Sequence, residues 1–226
     1  VYLNSDSDIS THGAGTINVT ASNGVISMAD GVTTTSENGA ITYTATGNAA
    51  LSQLISTSGA ITVTAGAIID NTTDELANIT TTGLVSLTAE TGIGGEADAD
   101  IDTTVVSLMA NNLTSGDIVI HETDGLTIPV GGVTTQGGNG NIALTVQLGN
   151  LVLDGLISAH GSGTVTVNVV AGDLTTGVNA NTSSTSGAVS LTADNITETV
   201  DLTTGGTLDL IARTNLVILD GLTFTA

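Results

Sequence analysis

A seven-residue stretch, Gly59-Ala60-Ile61-Thr62-Val63-Thr64-Ala65, returns along the chain in lightly altered form, and few folds are open to a chain built that way. Copies start at Gly15, Gly39, Gly59, Gly83, Thr104, Gly140, Gly163, Gly187 and Gly206. The start-to-start spacings are 24, 20, 24, 21, 36, 23, 24 and 19 residues. A recurrence at roughly 20–50 residues marks a solenoid, in which each unit buries its apolar face against the next. Within a copy, apolar residues alternate with small polar ones, the period of a strand with one buried side. The pairs Ile17/Val19, Ile41/Tyr43, Ile61/Val63, Val85/Leu87, Val106/Leu108, Ile142/Leu144, Val165/Val167, Val189/Leu191 and Leu208/Leu210 are therefore expected to stack inward. Asn18, Thr42, Thr62, Ser86, Ser107, Ala143, Thr166, Ser190 and Asp209 are expected to stack outward.

A second marker is Asp-Gly before an aliphatic residue: Asp30-Gly31, Asp124-Gly125, Asp154-Gly155 and Asp220-Gly221. Glycine accepts positive φ and aspartate bonds its own backbone, so the pair marks a corner. A hairpin turn is the rival reading, strongest across Ile118 to Ile128. The sequence thus predicts an all-β chain, a single-stranded parallel β-helix of about nine coils, expected right-handed, forming one domain over residues 1–226. Coils run 19–24 residues with one longer coil. The surplus in that coil predicts an irregular insertion near residues 127–139, where Pro129 cannot donate to a ladder. Such a loop on a rigid scaffold is a place for a contact surface.

Composition agrees with a narrow interior. Tyr2, Tyr43 and Phe224 are the only aromatic residues, so stacked Val, Ile, Leu and Ala must fill the core. Net charge is −21, with no lysine and a single arginine, Arg213. That balance argues against nucleic acid and anionic membrane as partners and makes the molecule a sink for cations. Absent lysine excludes Schiff-base and P-loop chemistry, and absent cysteine excludes disulfides and thiolate metal sites. No apolar run is long enough to insert into a membrane as a helix. The chain starts inside a repeat and finishes on the apolar segment Leu222–Ala226, with no polar cap at either end, although solenoids need caps. The expectation is a piece of a longer polypeptide, or a subunit whose ends are covered by neighbours. Val1, Tyr2, Leu3, Leu222 and Phe224 are then the candidate self-association residues.

Glu96, Asp98, Asp100 and Asp102 place a carboxylate at every second position. On a strand they share one side, about 6.8 Å between next neighbours. A hard cation such as calcium would relieve their repulsion. No EF-hand or glycine-rich nonapeptide accompanies them, and a solvated acidic corner is the competing reading. His12, His121 and His160 lie far apart in sequence and read as structural or surface residues, with no zinc motif around them. Apart from the optional calcium, no cofactor is expected. Asp154, Asp209 and Asp220 could serve a carbohydrate-active enzyme, but corners and an outward ladder account for them, so no catalytic residue is assigned. The outward Thr-x-Thr pattern raises ice binding, against which stand the breaks at Asn18, Ala143 and Asp209.

Units such as Gly59–Ala65 and Gly187-Ala-Val-Ser-Leu-Thr-Ala193, alternating with Asn150-Leu-Val-Leu-Asp-Gly-Leu156, resemble the repeats of filamentous-haemagglutinin-like and other large repetitive exported bacterial proteins. The resemblance spans nearly the whole chain. It implies a right-handed β-helix, secreted and held at the cell surface, with an adhesion, biofilm or surface-layer role. The function expected is structural: a rod or filament segment whose partners are copies of itself or neighbouring repeats of the same polypeptide. An adhesin stalk that binds surface glycans through side loops is the alternative, and a polysaccharide-active enzyme is a further one.

Overall fold

A computed structural model of the chain describes residues 1–73, 76–95 and 99–226. Among these residues there is no helix, and every strand pairing is parallel and joins one turn to the next, over about 10 turns. Ile41 lies beside Ile17 and Ile61, and Ile61 beside Val85, in one continuous column. All four are buried, as are Tyr43, Val63 and Leu87 beside them. The alternation read from the sequence is therefore the alternation of the ladder. Tyr43 carries the one buried aromatic ring, and its hydroxyl pairs with Thr34 at 2.6 Å, so its polar tip is satisfied inside the core.

Each turn has three sides. In the N-terminal half the first side is the five-residue strand of the repeat: Ile17–Ala21, Ile41–Ala45 and Ile61–Ala65. The second is a three-residue strand: Ile26–Met28, Ala49–Leu51 and Ile68–Asp70. The third comprises Ile9–Thr11, Thr33–Ser36 and Gln53–Ser56. Gly31, at the corner after the second side, has φ +78°, in the left-handed region that the Asp-Gly pair anticipates.

The corner that leads into the long strand is held by a recurring device. A buried serine or threonine hydroxyl accepts from the repeat glycine of its own turn and donates to the carbonyl of the repeat glycine one turn back. Ser56 Oγ accepts from Gly59 N at 2.9 Å and donates to Gly39 O at 3.2 Å. Ser36 does the same between Gly39 and Gly15, and Thr81 between Gly83 and Gly59. Glycine is required because the turns touch here: a Cβ on Gly59 would sit 1.9 Å from Gly39 O. The C-terminal half repeats the device with Ser184 between Gly187 and Gly163 and Thr204 between Gly206 and Gly187.

The two halves do not share one column. Ile142–Val146, Val165–Val169 and the start of Val189–Glu198 carry the C-terminal copies of the repeat. They stack on Ile118–Glu122, which lies beneath Ile93 and Ile101 on the second and third sides. The first side is continued instead by Val133–Thr135, Leu156–Ala159, Asn181–Ser184, Leu202–Thr204 and Phe224–Thr225. Between residues 107 and 118 the repeat thus slips by one side.

This slip corrects three expectations. The 36-residue spacing is one turn plus one side, and the expected irregular insertion near 127–139 is not irregular: Leu126–Ile128 and Val133–Thr135 pair in the ladder on both edges. Pro129 falls at the corner between them. The copy at Thr104, the one without glycine, is misregistered by two residues. Val85 lies beside Leu108 and Leu87 beside Ala110, so Leu108 and Ala110 point inward while Val106 is 52% exposed. Finally, Ala143 and Asp209 belong to a different side from Thr42 and Thr62. They do not interrupt the first-side column Thr20, Thr44, Thr64, Thr88, Asn111, Thr134, Ser158, Ser183, Thr203 and Thr225. The hairpin alternative at Asp124-Gly125 fails for the same reason: the strands on either side of it each run parallel to the next turn.

Candidate metal centre and the open end

The unusual polar groups gather at the slip. Ile93 and Ile101 both lie over the single strand Ile118–Glu122, at Ile118 and Ile120. The second and third sides merge there. The described part of the acidic run, Asp100 and Asp102, falls at this junction. Asp100 sits in a bend ahead of the strand Ile101–Asn112, and Asp102 sits within it, so the four carboxylates do not share one strand. Glu96 and Asp98 lie outside the described residues.

The structure joins Asp100 and Asp102 with His121, which sequence reasoning had set aside. One ligand atom from each lies within 4.8 Å of the others. Asp102 and His121 are register partners in successive turns, and His121 Nδ1 is 3.0 Å from Asp102 Oδ1. The backbone beneath is fixed: Asp102 N donates to Asn78 Oδ1 at 2.9 Å, and Asn78 Nδ2 donates to Asp70 Oδ1 at 2.6 Å. Thr72 donates to the same Asp70 oxygen from its N and its hydroxyl. Burial, then the charge of Asp102, pushes the Asp100 carboxyl up from its ordinary value. Asp102 is also pushed up, by burial first; its bond to His121 opposes this and the charge of Asp70 adds to it. Negative charge is therefore concentrated here and poorly screened. Arg213, the single arginine, is engaged elsewhere, 2.8 Å from Asp194 and 2.7 Å from Val170 O.

Glu122 replaces the missing clasp. Where Thr81 holds the corner one turn earlier, its register partner is Val105, which has no hydroxyl. The Glu122 carboxylate reaches up from the next turn instead. It accepts from Thr103 Oγ1 at 2.6 Å, Val105 N at 3.1 Å and Asp124 N at 3.2 Å. Burial outweighs these bonds and pushes its carboxyl up to about 7. Glu198 is the second inward carboxylate. It is wholly buried and accepts from Thr176 Oγ1 at 3.1 Å, while its Oε1 meets no donor among the described residues. Burial pushes it, too, up to about 7. Neither glutamate was singled out from the sequence. The signal available was a glutamate at an inward parity, Ile118-Val-Ile-His-Glu122 and Ile196-Thr-Glu198, where neighbouring turns carry apolar or hydroxyl residues.

The remaining candidates lie at the ends. Leu208–Ile218 and Phe224–Thr225 form the last described turn. Leu208, Leu210, Leu216, Ile218 and Phe224 surround a hollow of about 360 Å³ open to that end. Leu222, named from the sequence, is half-buried and does not line the hollow. At the other end Tyr2–Leu3 pairs on one edge alone, with Ser27 and Met28. Val1 and Tyr2 are exposed, and the Val1 amino group donates to Val25 O at 2.7 Å. His12 and His160 are exposed, and neither approaches the Asp102–His121 pair.

Comparison with known proteins found no matching family model, no matching curated protein and no matching solved structure.

Proposed function

We propose that this chain is a structural rod whose C-terminal end takes a further β layer supplied by a second copy of the chain. The observation that carries this reading is the unbroken stack of about 10 parallel turns, which a further layer from the same polypeptide or from another copy would extend. Leu216 and Ile218 continue columns that are buried in the four turns above them, and are themselves 44% and 43% exposed. The backbone edge of the last turn presents donors and acceptors in the spacing of a parallel strand, a template for another strand. Covering it removes apolar surface from water and satisfies the edge in one step. The resemblance of the repeats to those of large exported bacterial proteins supports a secreted, cell-surface setting, and the same layer could be donated by neighbouring repeats of one polypeptide.

Electron microscopy of the purified 226-residue chain tests the reading. End-to-end fibres or short stacks are expected, and Leu216→Asp with Ile218→Asp is expected to abolish them while leaving the far-ultraviolet signature of the fold. Dispersed rods of one length at all concentrations would remove self-association and leave a stalk that binds through its side loops.

A further inference from the structure

We infer that Asp100, Asp102 and His121 form a site for one divalent first-row transition-metal ion, clamping two successive turns where the repeat slips. The inference is independent of how the rod ends assemble. It departs from the calcium reading of the acidic run in its ligand set: one imidazole nitrogen and two carboxylate oxygens. Calcium takes six or more oxygen ligands, whereas zinc and its neighbours accept imidazole and carboxylate together.

Two observations support it. The first is convergence: three ligand atoms from two successive turns lie within 4.8 Å of one another. Bonds of about 2.0–2.2 Å to a common ion place ligand atoms roughly 3–3.5 Å apart, so binding closes the group by side-chain rotation. The second is the state of Asp102. It is 5% exposed, and its Oδ1 lies 3.0 Å from His121 Nδ1, itself a member of the group. A carboxylate so covered, with Asp100 and Asp70 beside it and no lysine or arginine near, lacks a counter-charge, which is costly. A cation between Asp102 and His121 supplies it. Coordination through Nδ1 requires the His121 proton to reside on Nε2, and the 31% exposure of the side chain leaves the ring accessible to solvent.

The location gives the ion a purpose. Ile101–Asn112 and Ile118–Glu122 are joined by three residue pairs: Ile101 with Ile120, Asp102 with His121 and Thr103 with Glu122. An ion bound across the middle pair would lock the register at the one place where the ladder changes sides. Because the bound state is folded, binding adds to stability by mass action.

The test is a zinc titration of the intact chain after chelator treatment, read by calorimetry, by melting temperature and by histidine ring NMR. One equivalent of zinc is expected to bind, to raise the melting temperature and to shift the His121 resonances while leaving those of His12 and His160 in place. His121→Ala, at a partly exposed position the fold tolerates, is expected to weaken zinc binding about tenfold or more and to lose the melting shift. Asp209→Asn, which removes one charge from an outward position elsewhere, is expected to bind zinc as the parent does. Zinc that moves all three histidines alike, or that binds His121→Ala as tightly as the parent, overturns the site. So does calcium binding tighter than zinc and indifferent to His121→Ala, which would return the run to an all-oxygen acidic corner.

Discussion

The N-terminal and C-terminal halves of the rod use the same parts in the same order, and the short stretch between them uses different ones. On both sides a five-residue strand is entered through a buried hydroxyl that bridges two glycines, as at Ser56 and at Ser184. In the junction the glycine is missing, Val105 occupies the hydroxyl position, and a carboxylate from the following turn closes the corner. The lesson is that a solenoid can change the side on which its repeat runs, provided something else satisfies the backbone at the corner. Here that something is charged. The regular halves are held by neutral hydroxyls, while Asp70, Asp100, Asp102, His121 and Glu122 crowd the junction.

The largest effect that would break this equivalence comes from the glycines. A Cβ on Gly59 would lie 1.9 Å from Gly39 O, and one on Gly163 would lie 2.1 Å from Gly140 O. Each atom met is backbone, so neither contact can be relieved by a rotamer change. Gly59→Ala and Gly163→Ala should each fail to fold or lose more than about 4 kcal/mol in urea melts. A large cost in one half alone would show that the two clasps are not the same device.

A smaller effect distinguishes the charged core position of the C-terminal half from its neutral counterparts. The Glu198 carboxyl is raised from 4.5 to about 7 by burial. The neutral form is the one the fold accepts, so nothing is lost below the unfolded value. The loss grows as pH rises above about 4.5 and is complete above about 7. Glu198 should therefore contribute about 3 kcal/mol of added stability on going from pH 8 to pH 4.5, beside the share of Glu122 and the general relief of charge repulsion. Glu198→Gln should flatten that part of the profile in melts taken across the range. An unchanged profile would mean that Glu198 is already neutralised or solvated.

A contrast between two neighbouring variants, the second nearly silent, tests the register at the junction. Leu108→Ala should cost about 2–5 kcal/mol, because the side chain is buried and its loss leaves a cavity. Val106→Thr should change stability by no more than about 0.5 kcal/mol, because that side chain faces solvent. A large cost at Val106 would restore the register that the repeat alone suggests.

That pair also shows what could be read in advance. Strand alternation has a period of two, so Ile41, Ile61, Val85 and Leu108 were assigned inward correctly whatever their exact partners. Register is a separate matter. Moving the pairing by two residues keeps Leu108 inside and merely exchanges Val106 for Ala110, and nothing in Thr104-Val-Val-Ser-Leu108 separates the alternatives except its lack of glycine. The clasps were legible in principle as Ser36, Ser56 and Ser184 three residues before a repeat glycine, with Thr81 and Thr204 two before. The group at Asp102 and His121 was not legible. Its members lie 19 residues apart, and that separation becomes proximity only once the length of the turn at the junction is known.

The slip also has a consequence for any array of such rods. The repeat enters the molecule on one of three sides and leaves it on another, so a second copy stacked in phase starts a third of a revolution further round. A loop that projects from a given corner would face a new direction in each subunit and return to its first bearing after three. On the slip alone, the decorations of such a fibre would follow a spiral that repeats every three subunits, to which the twist of the sheet adds.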